Sequence, residues 1–182
     1  MIDLLRTRRS IRKYAAAPIE SEKIEVLVEA LLRSPTSRNG RSWEFIVVDD
    51  RELLTRLSKT RAQGSHQMQD AALGVVICAD STRSDVWVED CSIAAILLQM
   101  TAHDLGLGSC WIQIRNRDHS ESMSAEQYVQ DLLGLPRHIK VECMVSIGYP
   151  GETKKPVPES ELEYSKVKRN HYSRDYAAKK KD

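Results

Sequence analysis

Cys91-Ser92-Ile93-Ala94-Ala95-Ile96-Leu97-Leu98-Gln99-Met100-Thr101-Ala102 is the stretch on which the fold turns. It lies inside a helical segment, 85–105, that Gly106 ends. Apolar side chains fall on almost every face between Cys91 and Ala102, and a helix apolar all round has to be covered all round. Two covers are open: the other elements of one subunit enclosing a central helix, or a partner subunit laid against it. The segment continues through His103-Asp104-Leu105 into Gly106-Leu107-Gly108-Ser109-Cys110-Trp111-Ile112, a glycine turn into a strand over 109–115.

Moving outward, Leu73-Gly74-Val75-Val76-Ile77-Cys78-Ala79 is a nearly continuous apolar run of strand length, so it should be buried on both faces. Trp43 to Val48 and residues 140–148 read as further strands. Ile24, Leu27, Val28, Leu31 and Leu32 recur at helical spacing behind Ser21, a suitable N-cap, which predicts a helix over 22–33. Leu53, Leu54 and Leu57 predict another over 50–59. Ser124 and Gln127 form a capping-box pair at the head of a helix over 124–133, stopped by Gly134 and Pro136. Residues 1–7 suit a short helix, and the polar segment 60–70 a mobile loop or broken helix. Helices and strands interleave, which predicts an α+β or mixed α/β layer structure in one domain, 1–176. After Pro150 the apolar pattern gives way to prolines and charges, so 151–176 is expected to be an extended arm and 177–182 a disordered tail.

Composition narrows the function classes. A net charge of +1 over 182 residues gives no global pull toward nucleic acid or an anionic membrane. No run reaches the length of a membrane span, and the amino terminus lacks a signal-peptide core. Cys78, Cys91, Cys110 and Cys143 each sit in an apolar run without C-x-x-C spacing, so buried free thiols and a reducing, cytoplasmic location are expected. The five histidines are scattered, and metal ligation is not expected. Neither G-x-S-x-G nor a P-loop is present.

Four stretches carry candidate chemistry. Arg8-Arg9-Ser10-Ile11-Arg12 places three guanidiniums and a hydroxyl within five residues, which suits a phosphate as well as a solvated basic turn. Ser34-Pro35-Thr36-Ser37-Arg38-Asn39-Gly40-Arg41-Ser42-Trp43 is either a heterocycle-edging loop or an ordinary connection. Gly106-Leu107-Gly108-Ser109-Cys110-Trp111 lets backbone approach a flat ligand. It follows a helix and opens a strand, the reverse of a dinucleotide fingerprint, so a Rossmann site is rejected. Lys166, Lys168, Arg169 and Arg174 are a solvated arm or a second set of phosphate ligands.

Taken in order, these stretches resemble the nitroreductase-like FMN-dependent oxidoreductase family. The matching pieces are R-R-S-I-R-K-Y from Arg8, S-P-T-S-x-N-x-x-x-W from Ser34, W-E-F-I-V-V from Trp43, H-D-L-G-L-G-S-C-W-I from His103, S-I-G-Y-P-G-E from Ser146, and the terminal Y-S-K-V-K-R-N-H-Y. The resemblance implies an α+β fold with a central, mainly antiparallel sheet flanked by helices. It also implies an intertwined homodimer, the apolar helix in its interface and carboxy-terminal arms exchanged. Two FMN molecules would each be touched by both chains. Arg8, Arg9, Ser10 and Arg12 match the phosphate and pyrimidine ligands. Pro35, Thr36, Ser37 and Asn39 of the other subunit match the loop edging the flavin. Ser109 and Cys110 fall beside the ring near N5, and Lys166, Lys168 and Arg169 complete the phosphate site. The implied activity is ping-pong hydride transfer from NADH or NADPH through flavin N5 to a small electron-poor acceptor, such as a nitroaromatic or quinone, without a dedicated catalytic side chain.

Two departures bear on specificity. Where the family often has N-x-Q-P-W, this chain has Asn39-Gly40-Arg41-Ser42-Trp43, which puts a charge in place of a neutral amide. The segment 60–72 is short, so any lid is expected to be small. Two other functions fit parts of the pattern: a flavin-binding carrier or sensor without turnover, and a nucleic-acid binder using the basic ends. Neutral charge and the lack of interleaved aromatics disfavour the latter.

Overall fold

The computed structural model describes residues 1–176; the expected disordered tail, 177–182, lies outside them. Five helices and four strands follow one another: α1 (Ile2–Thr7), α2 (Ser21–Leu32), β1 (Trp43–Val48), α3 (Arg51–Leu57), β2 (Leu73–Asp80), α4 (Trp87–Asp104), β3 (Gly108–Gln113), α5 (Ala125–Leu133) and β4 (Ile139–Gly148). The strands form one sheet in the order β1-β2-β4-β3, and every neighbouring pair is antiparallel. The fold is therefore α+β, as the residues predict.

Helices cover both faces of the sheet, which is why β2 is apolar along its whole length. On one face α2 and α4 bury Leu27, Leu31, Cys91, Ala94, Ala95, Leu98 and Ala102 against Val75, Ile77, Cys143, Val145 and Ile147. On the other, α3 and α5 bury Leu54, Leu57, Ala125 and Val129 against Val76, Ile112, Val141 and Met144. The alanines of α4 let its backbone approach the sheet. Leu98 is fully buried in that layer. Leu98→Ala should cost about 2–5 kcal/mol of stability, read as a lowered urea midpoint.

Local details correct several boundaries. Glu20, not Ser21, caps α2, and Ser21 is its first helical residue. Asp50 caps α3 by accepting from the Leu53 N–H at 2.7 Å. Ser124 and Gln127 form the expected reciprocal box, and Gly134 takes the left-handed position after α5. β3 stops at Gln113, because the Ile114 and Arg115 N–H groups both turn to the Glu142 carbonyl. The segment 60–70 is a coiled turn ending in a short 3-10 helix at His66–Met68, with Gln67 and Met68 buried. Residues 155–176 are exposed throughout and hold only two short 3-10 turns. No helix among the described residues is long and apolar enough to cross a membrane.

All four cysteines are buried and free. Burial pushes the Cys78 thiol up to about 12 and raises Cys91, Cys110 and Cys143 as well. In the unfolded chain a thiol ionises near pH ~8.5. Native thiols stay protonated above that pH, so their contribution is fully present below it and lost as pH rises toward the native values. The native protein at pH 8 should leave all four unreacted toward a disulfide reagent. Its urea midpoint should fall as pH is raised from 8 to 10.

Candidate functional site

The amino-terminal knot lies along the outer edge of the sheet, against β3. Ser10 bridges Ser109 in parallel, and the Ile11 N–H donates to the Ser109 carbonyl at 3.0 Å. Farther on, Tyr14 bridges Pro150 and the Gly151 N–H donates to the Lys13 carbonyl at 2.8 Å. The Tyr14 hydroxyl donates to the Ser146 carbonyl at 3.0 Å and is 2.8 Å from Ser146 Oγ, and burial raises its pKa. Two glycines make this approach possible. A Cβ on Gly108 would sit 2.8 Å from the Ile11 side chain, and one on Gly148 would sit 2.9 Å from the Tyr14 ring. This corrects the reading of Gly106-x-Gly108. Gly108 admits Ile11 rather than a ligand, and Gly106 supplies the positive φ that ends α4.

Beneath the knot is a pocket of about 290 Å³, lined by Arg8, Arg9, His103, Ser109, Glu152 and Lys154 among others. Among the described residues, Arg8 Nη1 is buried there without a hydrogen-bond partner. A buried guanidinium nitrogen left unpaired costs free energy, which a strong acceptor at that point would recover. The Arg9 guanidinium donates to the Lys155 carbonyl, and the Arg12 N–H donates to Glu152 Oε1 at 2.7 Å. Lys154 pairs with Glu152 at 3.3 Å. Arg12, Lys154 and Arg8 all pull the Cys110 thiol pKa downward, although burial raises it on balance. Ser10 bridges Ser109, Arg12 and Lys154 both meet Glu152, and Arg8, Arg9 and Lys154 line the pocket with Ser109, so these basic residues flank the start of β3. The expected residues Arg8, Arg9, Ser10, Arg12, Ser109 and Cys110 are thus brought together.

The loop of Pro35, Thr36, Ser37 and Asn39 is not brought to them. It precedes β1 at Trp43, which pairs with Ala79 near the end of β2, whereas Gly108 and Gly148 lie at the Leu73 end. β2 has eight residues and rises roughly 3.4 Å for each, so its two ends lie roughly 24 Å apart. Loop and cradle also flank opposite edge strands. They occupy diagonal corners of one chain's sheet, farther apart than a three-ring heterocycle spans.

That loop is held in an unusual shape. Arg38, Asn39 and Arg41 all have positive φ, at 51°, 54° and 46°. The Ser37 N–H donates to Asp90 Oδ1 at 3.0 Å, and the Arg41 N–H donates to Thr36 Oγ1 at 3.1 Å. Arg41, the departure from the family pattern, donates from Nε to Asn39 Oδ1 at 3.1 Å and so orients that amide.

Lys166, Lys168 and Arg169 lie on the exposed arm and do not line their own chain's pocket. Lys166 pairs with Glu163 at 2.6 Å, and Lys168 pairs with Asp175. Sequence reasoning assigned no site role to Glu152, the last residue of the quoted S-I-G-Y-P-G-E stretch, or to Lys154 two residues beyond it, although both line the cradle. It also missed Gln67, whose Nε2 donates to Cys110 Sγ at 3.6 Å and whose Oε1 is buried without a partner. Nothing in the polar run 60–70 marks Gln67.

The nitroreductase family model matches residues 5–76 and 62–149. The chain belongs to the nitroreductase family. An FMN-dependent nitroreductase of Clostridium difficile has a similar solved structure, with a TM-score of 0.92 and 48% identity, covering 94% of this chain and 99% of that one. An Archaeoglobus fulgidus protein is 38% identical over 157 residues, 84% of this chain and 87% of its own length; its name couples NADH dehydrogenase with NAD(P)H nitroreductase. The Bacillus subtilis FMN reductase [NAD(P)H] is 27% identical over 179 residues, 86% of this chain and 69% of its own.

Proposed function

We propose that this nitroreductase-family chain is an FMN-dependent oxidoreductase working as a homodimer, which takes hydride from NADH or NADPH and delivers it to a small electron-poor acceptor such as a nitroaromatic or quinone. The observation that carries this reading is Arg8 Nη1, buried in the cradle without a partner. An FMN phosphate supplies the anionic acceptor that this nitrogen lacks. The names of the similar proteins support the same cofactor and donor.

Arg8, Arg9, Ser10, Arg12 and Lys154 would hold the phosphate and ribityl end. Ser109, Cys110 and Gln67 would flank the ring system. FMN supplies two-electron carrier chemistry when bound. The chain's own residues position it and exclude water, and the cations around β3 favour added negative charge nearby. Pro35, Thr36, Ser37 and Asn39 would close over the ring from the second subunit.

Ile93 and Ile96 on α4 are 39% and 40% exposed in the single chain, and Leu32 of α2 is exposed as well. A second copy laid on α4 covers them. Val157, Leu162, Tyr164 and Val167 of the arm are similarly exposed. An arm wrapped round the partner, carrying Lys166, Lys168 and Arg169 to the partner's cradle, covers these. With FMN held there, donor and acceptor would use one site in turn, a ping-pong order that predicts parallel double-reciprocal plots.

The test is an absorption spectrum of purified protein with FMN, followed by anaerobic addition of each donor. Bleaching of the flavin bands by NADH or NADPH is expected. FMN that stays bound and oxidised with both donors contradicts enzyme status and favours a carrier or sensor.

A further inference from the structure

A second cluster of basic side chains lies outside the cradle. Lys59, Arg61, His66 and His119 line a cavity of about 440 Å³ beside the 58–69 turn, and among the described residues no Asp or Glu lines it. Among the described residues, none of these side chains forms an ion pair with a carboxylate, and neither does Arg117. Asp70, Asp118 and Glu121, acids close in sequence to His66 and His119, do not line it either.

The cluster is built rather than loose. The Arg61 guanidinium lies over the Gly64 backbone, where a Cβ would come within 3.3 Å of Nη1, and Gly64 has the positive φ that this curl needs. Arg61 also donates to the Gln113 carbonyl at 3.4 Å. Its backbone N–H donates to Ser65 Oγ at 3.1 Å, and that hydroxyl donates to the Ser58 carbonyl at 2.7 Å. His119 stacks on Tyr128, with ring centroids 4.2 Å apart, and its Nδ1 faces the Thr60 carbonyl at 3.1 Å. Facing a carbonyl, Nδ1 carries the proton, which leaves Nε2 unengaged. Arg61 is partly buried, and both that burial and the nearby Arg117 charge disfavour its charged form. A guanidinium held against a like charge with no acid beside it is relieved by a bound anion.

We propose that Lys59, Arg61, His66 and His119 form a second anion site, for a phosphoryl group, separate from the cradle at Arg8. Arginine and lysine together suit a phosphate monoester or a diphosphate. Two sources present that chemistry: the phosphates of the nicotinamide donor, or a free phosphoester that binds here in its own right. The site lies along the same edge strand as the cradle. Gln113 is four residues beyond Ser109, roughly 13 Å along β3. A dinucleotide whose nicotinamide lies near Cys110 can therefore extend toward Arg61. That coupling to the donor rests on the proposed function, whereas the anion site does not.

The test uses the FMN-loaded protein and pyrophosphate as probe, titrated by calorimetry. Wild type is expected to bind it, and Arg61→Gln with Lys59→Gln to weaken that binding at least tenfold with FMN content unchanged. Lys59→Glu alone, a change at an exposed side chain, should weaken it several-fold and covers the case in which the double variant folds poorly. If the donor is the source, the KM for NADH or NADPH rises about tenfold in the double variant while kcat at saturation holds. If a free phosphoester is the source, pyrophosphate binding falls and the donor KM does not move. No pyrophosphate binding by wild type, or equal binding by wild type and both variants, overturns the site. A protein that binds pyrophosphate through these residues but never binds FMN keeps the anion site and rejects the flavin reading.

Discussion

Replacing Arg8 and Arg12 by Ala is expected to reduce FMN affinity by at least a hundredfold without lowering the thermal stability of the apoprotein. Each charge-assisted contact is worth about 1.5–3 kcal/mol, and about 1.4 kcal/mol is a tenfold change in affinity. The two halves of the result have one cause. Arg8 Nη1 is buried and unpaired in the chain alone, so deleting it removes a cost from the apoprotein and a partner from the phosphate. Arg12 keeps its backbone bond to Glu152 whatever its side chain. Fluorescence titration of apoprotein with FMN, together with thermal unfolding of the same sample, reads both. Unchanged FMN affinity rejects the phosphate role. A large loss of apoprotein stability makes Arg8 a structural residue instead.

The second large effect concerns α4. Ile93→Glu with Ile96→Glu is expected to give a folded monomer that binds FMN at least a hundredfold more weakly. Both side chains are already partly exposed in the single chain, so the charges are tolerated there. Pressed into a subunit interface they would be desolvated without partners, which costs several kcal/mol. On the proposed arrangement such a monomer would keep its own cradle and would lose the second subunit's Pro35–Asn39 loop and basic arm. Sedimentation of the variant with and without FMN checks this. A dimer that persists, or a monomer that binds FMN as tightly as wild type, contradicts the shared site.

Much of this was legible in the sequence, for identifiable reasons. Every strand and long helix was marked by its own periodicity or caps: the Ser124–Gln127 box and Gly134 bracket α5, and Gly106 ends α4. The apolar run of β2 implied burial on both faces. It is buried so, within an antiparallel sheet, because α2 and α4 cover one face while α3 and α5 cover the other. Pattern alone does not fix strand order, so the sequence could not show that loop and cradle stand at opposite corners. Gly108 was misread because glycine admits either a ligand or a neighbouring strand, and only packing shows that Ile11 fills the space. Gln67 and the Arg61 cluster went unseen for a similar reason. Their polar run has no periodicity, and their meaning comes from Cys110 and Gln113, more than forty residues farther along the chain.

If the cradle and the loop over one flavin belong to different chains, two defective proteins can repair each other. A cradle variant, Arg8→Ala with Arg12→Ala, and a loop variant, Ser37→Glu with Asn39→Glu, should each purify without flavin. Co-expressed with different affinity tags and isolated as the mixed pair, they should carry one FMN per two chains, since one site then has an intact cradle and an intact loop. A mixed pair that holds no flavin, although each chain is folded and paired, would place both elements in the same subunit and contradict the account.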